Sequence, residues 1–234
     1  LHPDLDCGSF GVMRLRSHDH LRHVIWDWNG TLLDDAWLCV EVMNGLLRER
    51  GLPLLDAARY QALFGFPVHD YYRRLGFDFE REPFERVGTE FIDGYQARQH
   101  ECRLQSGAAE ALRRFADRGA TMSVLSASEQ VRLEAQARHL GVRGLFTQLL
   151  GLDDHYAGSK LDLGRRWVAD VDIDPREILM IGDTDHDAEV ARALGIECAL
   201  VPSGHQTEAR LRALGVPVAA TLADLAPREA PSLG

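Results

Sequence analysis

A chain of 234 residues, 45% apolar and 26% charged, can bury a sizeable core, which excludes disorder as the default and favours one large domain or a core with an insert. Its formal net charge of -10 repels polyanions, so nucleic acid is not an expected partner, whereas a small phosphorylated molecule is compatible if positive charge is local or metal-borne. Cys7, Cys39, Cys102 and Cys198 are scattered without Cys-x-x-Cys or zinc-site spacing, which reads as reduced thiols in the cytoplasm.

Residues 1–20 mix His, Asp and Arg and lack the apolar run of a secretory signal or membrane anchor. They read as a poorly ordered extension, with Met13 a candidate start and His18-x-His20 part of a polar tail. The first strand is expected over Leu21–Asp27, inside Val24-Ile25-Trp26-Asp27-Trp28-Asn29-Gly30-Thr31-Leu32-Leu33. Here an apolar run ends on an aspartate and Gly30-Thr31 turns the chain. Ligands of open α/β sheets gather at the carboxyl ends of strands, so Asp27 is expected to face a site; a plain turn or N-cap aspartate is the alternative.

From 34 to 103 the pattern is helix after helix with no convincing strand, broken at Gly51-Leu52-Pro53, Gly65-Phe66-Pro67 and Gly76. This segment holds eleven of the eighteen aromatics, either as the core of a small helical domain or as the apolar inner surface of a lid. Short β-type runs follow at Thr121–Leu125, Leu145–Leu150, Ile178–Ile181 and Cys198–Val201. Amphipathic stretches over 106–119, 128–141 and 187–195 separate or follow them, the first aligning Ala108, Ala111, Leu112 and Phe115 on one face. Such alternation predicts an α/β fold, a Rossmann-like parallel sheet with helices on both faces, plus a small all-helical cap domain. The expected division is a core of 21–33 and 104–226, a cap of 34–103 and a frayed tail of 227–234.

Three further segments bear on Asp27. Ser126 and Ala127 follow an apolar run at the start of a helix, where hydroxyl and backbone N–H groups favour phosphate oxygens. Lys160 is the only lysine among 26 basic residues. Ile178 to Asp187 brings Asp183, Asp185 and Asp187 to another strand end, and carboxylates that close together repel unless a divalent cation relieves them.

In this order the four segments resemble the haloacid dehalogenase superfamily, specifically its phosphatase branch with a helical cap after the first strand, as in phosphoglycolate phosphatase-like and beta-phosphoglucomutase-like members. The resemblance spans roughly Val24–Leu225. It implies magnesium-dependent hydrolysis of a small phosphate monoester, of phosphoglycolate or sugar-phosphate type, through an aspartyl-phosphate on Asp27. It also implies Mg2+ held by Asp27, Asp183 and the backbone carbonyl of Asn29, with Asp187 supporting Lys160 and the metal shell. Thr31, Ser126, Ala127 and Lys160 would hold phosphate oxygens, and Lys160 would neutralise the nucleophile. The implied protein is cytoplasmic, a monomer or homodimer, and a binder of a small phosphorylated metabolite.

Asn29 departs from the pattern, because family phosphatases carry an acid/base aspartate two residues after the nucleophile. An amide neither delivers nor accepts a proton, and general acid-base catalysis is worth about 10²- to 10⁴-fold. Turnover with a substitute donor such as His69, a phosphotransferase, and a catalytically weakened phosphate-ester-binding regulator all follow as readings. A phosphonate-cleaving relative would need a cap lysine, and 34–103 has none. Dehalogenating relatives dispense with Gly30-Thr31 and the Asp183 cluster. Arg73 and Arg74 are candidate substrate contacts.

Overall fold

The computed structural model of the chain describes residues 20–153 and 159–225. The expectations for Met13, His18 and the tail 227–234 lie outside the described residues. In chain order the strands are β1 (His23–Trp26), β2 (Leu33–Asp34), β3 (Arg103–Leu104), β4 (Thr121–Glu129), β5 (Gln148–Leu152), β6 (Ile178–Gly182) and β7 (Glu197–Leu200). Five of them form one parallel sheet in the order β5-β4-β1-β6-β7. The chain therefore steps outward from β1 in both directions, and the crevice at the carboxyl edge of β1 is where such sheets bind ligands.

The period-2 alternation of strand side chains separates two packing layers. Val24 and Trp26 of β1, with Leu179 and Ile181 of β6, face one layer; Ile25, Ile178 and Met180 face the other. The first layer is closed by α5 (Ala108–Asp117) and α6 (Gln130–His139), using the predicted Ala108, Ala111, Leu112 and Phe115. The second is closed by α7 (Lys160–Asp170) and α8 (Asp185–Leu194), through Trp167, Val190, Ala191 and Leu194. The expected strand at Leu145 begins later, because Arg143–Leu145 form a 3-10 turn and β5 starts at Gln148.

Between β2 and β3 the chain is helical: α1 (Ala36–Glu49), α2 (Ala57–Leu63), α3 (Val68–Leu75) and α4 (Phe84–Arg98). One expectation is corrected at its edges. Asp34 and Arg103, inside the stretch read as strand-free, pair antiparallel with their neighbours in the two-stranded β2–β3 ribbon. Two residues show no periodicity; the pairing arises because exit and re-entry points of the chain lie side by side. After β7 come the short helices α9 (Glu208–Arg212) and α10 (Leu222–Leu225). No helix among the described residues is long and apolar enough to cross a membrane.

His23 shows how the sheet buries a titratable group. Its Nδ1 lies 2.7 Å from Thr121 Oγ1 and its Nε2 2.8 Å from Ser123 Oγ, with the Trp167 ring 4.6 Å away and tilted by 38°. Burial pushes its pKa down to about 4. The unfolded chain takes up this proton below about pH 6.5 and the folded protein only near pH 4, so stability present above pH 6.5 is lost as pH falls through that window. The shift corresponds to about 3 kcal/mol. Urea unfolding at pH 7 and pH 4.5 should therefore show wild type losing more stability than His23→Gln; parallel losses would contradict this.

Candidate active site

The site is assembled at the carboxyl edge of the sheet. Asp27 follows β1 and is fixed by its backbone N–H, which donates to Ile181 O at 2.8 Å. One carboxylate oxygen, Oδ1, receives the Lys160 ammonium, and Oδ2 lies 3.1 Å from Thr31 Oγ1. That hydroxyl is also 3.0 Å from Asp183 Oδ1, so Thr31 ties the end of β1 to the end of β6. Lys160 opens α7, whose N-cap Ser159 accepts from Asp162 N–H, and its Nζ reaches Asp187 Oδ1 at 2.6 Å. Asp187 Oδ2 accepts from Thr184 N–H at 3.0 Å and Thr184 Oγ1 at 2.7 Å, capping α8 while holding the lysine. The sole lysine thus sits between two carboxylates, only 4% exposed.

Asp27, Asp183 and Asp187 bring ligand oxygens within 4.8 Å of one another, all buried. Burial first, then the nearby Asp187, pushes Asp27 up to about 6 against the pull of Lys160. Burial also pushes Asp183 up to about 7, with Asp27 adding to it and His205 opposing. For Asp187, burial acts upward but Lys160 and Thr184 overcome it, leaving the group below its ordinary value. Burial works against the charge of Lys160, yet Asp187 and Asp27 raise its pKa on balance. Three carboxylates and one ammonium leave an excess of buried negative charge, and an all-oxygen donor set of this kind suits magnesium. Asp27 and Asp183 face each other across the single hydroxyl of Thr31, whereas the oxygens of Asp187 are held by Lys160 and Thr184.

Ser126 and Ala127, expected at the start of a helix, lie inside β4, which continues to Glu129 before α6 begins at Gln130; Ser126 is buried and accepts from Ser128 N–H at 3.0 Å, Ala127 is exposed, and both border the cavity. The cavity, about 340 Å³, runs from Asp27, Asn29, Lys160 and Asp183 up to the helical segment. His186 lines it, its ring 4.8 Å from that of Phe66 and tilted by 36°, with Nδ1 3.5 Å from Glu189. Among the lining residues His69, Arg73 and Arg74 are absent. His69 packs against Phe79 and Phe84 instead, and both arginines are exposed.

Asn29 is held through both N–H donors and the oxygen of its amide. Its Nδ2 donates to Asp35 Oδ2 at 2.7 Å and to Tyr95 Oη at 3.1 Å, while Oδ1 accepts from Ser128 Oγ at 2.6 Å. Asp35 accepts in addition from Tyr95 Oη at 2.7 Å and from Gly30 N–H at 2.9 Å.

Sequence reasoning missed Asp35, Tyr95, Tyr60, Ser128 and His205. His205 N–H donates to Asp183 Oδ2 at 2.6 Å, and its Nδ1 lies 2.7 Å from Tyr60 Oη in α2. Gly204 presses on Gly30 so closely that a Cβ there would overlap Gly30 and Asp183. The helical segment is tied down by the same loop and by α9: Gln61 Nε2 donates to Gly204 O at 2.9 Å and Arg210 Nη1 to Phe64 O at 2.5 Å. The missed signal was positional, since Val201-Pro202-Ser203-Gly204-His205 follows β7 and obeys the same strand-end rule as Asp27 and Asp183.

The family model for haloacid dehalogenase-like hydrolases matches residues 24–201. N-acetylmuramic acid 6-phosphate phosphatase of Pseudomonas putida is 30% identical over 193 residues, covering 79% of this chain and 84% of that protein. Tyrosine-protein kinase PtkA of Mycobacterium tuberculosis is 27% identical over 184 residues, 78% of this chain; the match spans only 62% of the kinase's own length. A haloacid dehalogenase-like family hydrolase from Streptococcus pneumoniae superposes with a TM-score of 0.76 at 18% identity, covering 88% of this chain and 97% of that one, and supports the fold alone.

Proposed function

The chain belongs to the haloacid dehalogenase-like hydrolases, and from that premise we propose that it hydrolyses a small phosphate monoester through an aspartyl-phosphate on Asp27. The observation that carries this reading is the buried contact of Lys160 with Asp27, which Asp187 reinforces from the other side. A phosphate dianion repels a carboxylate, and a shared ammonium lowers that repulsion. Asp27 would attack phosphorus as the ester P–O bond breaks and its electron pair leaves with the alcohol oxygen. Water would then attack the same phosphorus, releasing phosphate and restoring the carboxylate. Ser126, Thr31 and the N–H groups around Ala127 would hold the non-bridging oxygens. Asp27, Asp183 and the Asn29 carbonyl would hold Mg2+, with Asp187 supporting from behind Lys160; the ion would supply charge neutralisation. Helices α1–α4 would act as a cap over residues of the core, in a cytoplasmic enzyme acting on a small phosphorylated metabolite. The family resemblance suggests phosphoglycolate or a sugar phosphate as starting candidates.

A second reading has one observation in its favour. Because Asn29 is bonded on both sides and cannot activate water, the phosphoryl group could pass to another acceptor, making a phosphotransferase. The test is turnover of a phosphate-ester panel with Mg2+, with chelator, and with Asp27→Asn. Chelator and substitution should each remove hydrolysis, with Mg2+ restoring the first; an Asp27→Asn enzyme that keeps its rate would sink the proposal.

A further inference from the structure

Two features of the cavity, independent of each other, bear on what leaves when the ester bond breaks. The first is the wall facing the nucleophile. Phe64, Phe66, Tyr71, Tyr72, Phe84 and Phe91 line it. Their rings meet edge to face, with Phe64 and Tyr71 at 5.3 Å and 69°, and Tyr72 and Phe84 at 5.6 Å and 63°. Tyr71 and Tyr72 are buried and so form the packed backing, whereas Phe64, Phe84 and Phe91 are half-buried and offer ring surface. The charged lining groups that α1–α4 and their approach contribute, among the described residues, are Asp35 and Glu85, both acidic. Arg132 of α6 also borders the cavity but is paired with Glu129 at 3.1 Å. A wall of this kind suits a flat apolar group and repels a carboxylate.

The second feature is Asn29. An alkoxide leaving group, such as a sugar or glycolate would release, needs a proton as it departs, and the amide has none to give. A phenol-type oxygen, with an ordinary pKa near 10, departs without one. Accordingly we infer that the substrate is a small phosphate ester of an aromatic hydroxyl, its ring seated against Phe64, Phe84 and Phe91, and not a sugar phosphate or phosphoglycolate. This rests on the proposed phosphatase reading and sharpens it. As the Asp27 carboxylate forms its bond to phosphorus, the bond from phosphorus to the aryl oxygen breaks and that oxygen leaves as a phenolate with the electron pair; water attack on the same phosphorus then breaks the bond to Asp27 and releases phosphate.

Binding and chemistry are separated by using Asp27→Asn for affinity and wild type for rate, both with Mg2+. In calorimetry on Asp27→Asn, phenyl phosphate and benzyl phosphate are expected to bind at least about tenfold more tightly than phosphoglycolate or glucose 6-phosphate. In wild type, kcat/KM for phenyl phosphate should exceed that for benzyl phosphate by at least about 10²-fold, because both carry the ring but only the first leaves without an acid. Phe84→Leu and Phe91→Leu, each confirmed folded by its melting temperature, should erase the aromatic preference without moving the inhibition constant of inorganic phosphate. Tighter binding of phosphoglycolate or glucose 6-phosphate, or equal rates for the phenyl and benzyl esters, would overturn the inference while leaving the phosphatase reading intact. So would turnover of a phosphotyrosyl peptide without turnover of phenyl phosphate. Absence of Mg2+-dependent hydrolysis of every ester, with the aromatic binding order preserved, would instead defeat the phosphatase reading.

Discussion

Lys160→Met is expected to lower kcat by about 10³-fold and to destabilise the fold, because the ammonium serves two buried carboxylates at once. Its Nζ contacts Asp27 and lies 2.6 Å from Asp187 Oδ1, with 4% of the residue exposed. Removing it leaves Asp27 and Asp187 facing one another without a counter-charge, a loss on the order of 3–5 kcal/mol for a broken buried pair. Lys160→Arg should fail as well, although every other basic residue of the chain outside histidine is arginine. A planar guanidinium is larger than an ammonium and cannot occupy the point between two carboxylates that Nζ fills. Steady-state kinetics and thermal melts on both variants check this. Either variant retaining more than about a tenth of wild-type kcat would show that the ammonium is not needed at the phosphoryl group.

Asn29→Asp is expected to act in the opposite direction and only where a proton is wanted. The new carboxylate would lie where Asn29 Nδ2 now meets Asp35 Oδ2 at 2.7 Å. Two carboxylates at that distance cannot both ionise, so the pair would retain one proton at neutral pH, the condition for a general acid. For benzyl phosphate and other alkyl esters kcat/KM should rise by about 10²- to 10⁴-fold. For phenyl phosphate, which needs no acid to leave, kcat/KM should change by less than about threefold, while kcat rises because the second step gains a base. Stopped-flow assays add a second readout. Wild type should release one equivalent of phenol per enzyme in a burst before slow turnover, and Asn29→Asp should shrink that burst. A uniform rise across all esters, or no burst in wild type, would contradict the assignment of proton transfer to position 29.

The parts of the site legible from sequence were those the sheet itself delivers. Asp27 and Asp183 each follow an apolar strand, Ser126 follows the apolar run of β4, and the parallel order places β1 between β4 and β6 so that these residues converge. Lys160 stood out by being the lone lysine, and the structure brings it to Asp27 across 133 residues of chain. The network around Asn29 had no such signal. Asp35, Tyr95 and Ser128 lie 6, 66 and 99 residues away from it, and each alone reads as a turn acid, a core aromatic and a helix-start serine. The aromatic-rich segment divides for a physical reason: Phe77 is buried where helices pack, Tyr60 and Tyr72 are buried rings that border the cavity, and Phe64, Phe84 and Phe91 are half-buried and line the same cavity. Periodicity marks all of them as apolar and cannot tell which side is empty. Arg73 and Arg74 mislead in the same way, since both project to solvent from α3.

The most direct measurement is borohydride reduction of the wild-type protein during turnover of phenyl phosphate, followed by peptide mass spectrometry. An acyl phosphate on Asp27 would be reduced to homoserine, and the unassisted second step should let it accumulate enough to be seen. Homoserine at position 27 is the predicted result; sustained turnover with Asp27 unmodified, or a phosphoryl group found on another side chain, would contradict the account.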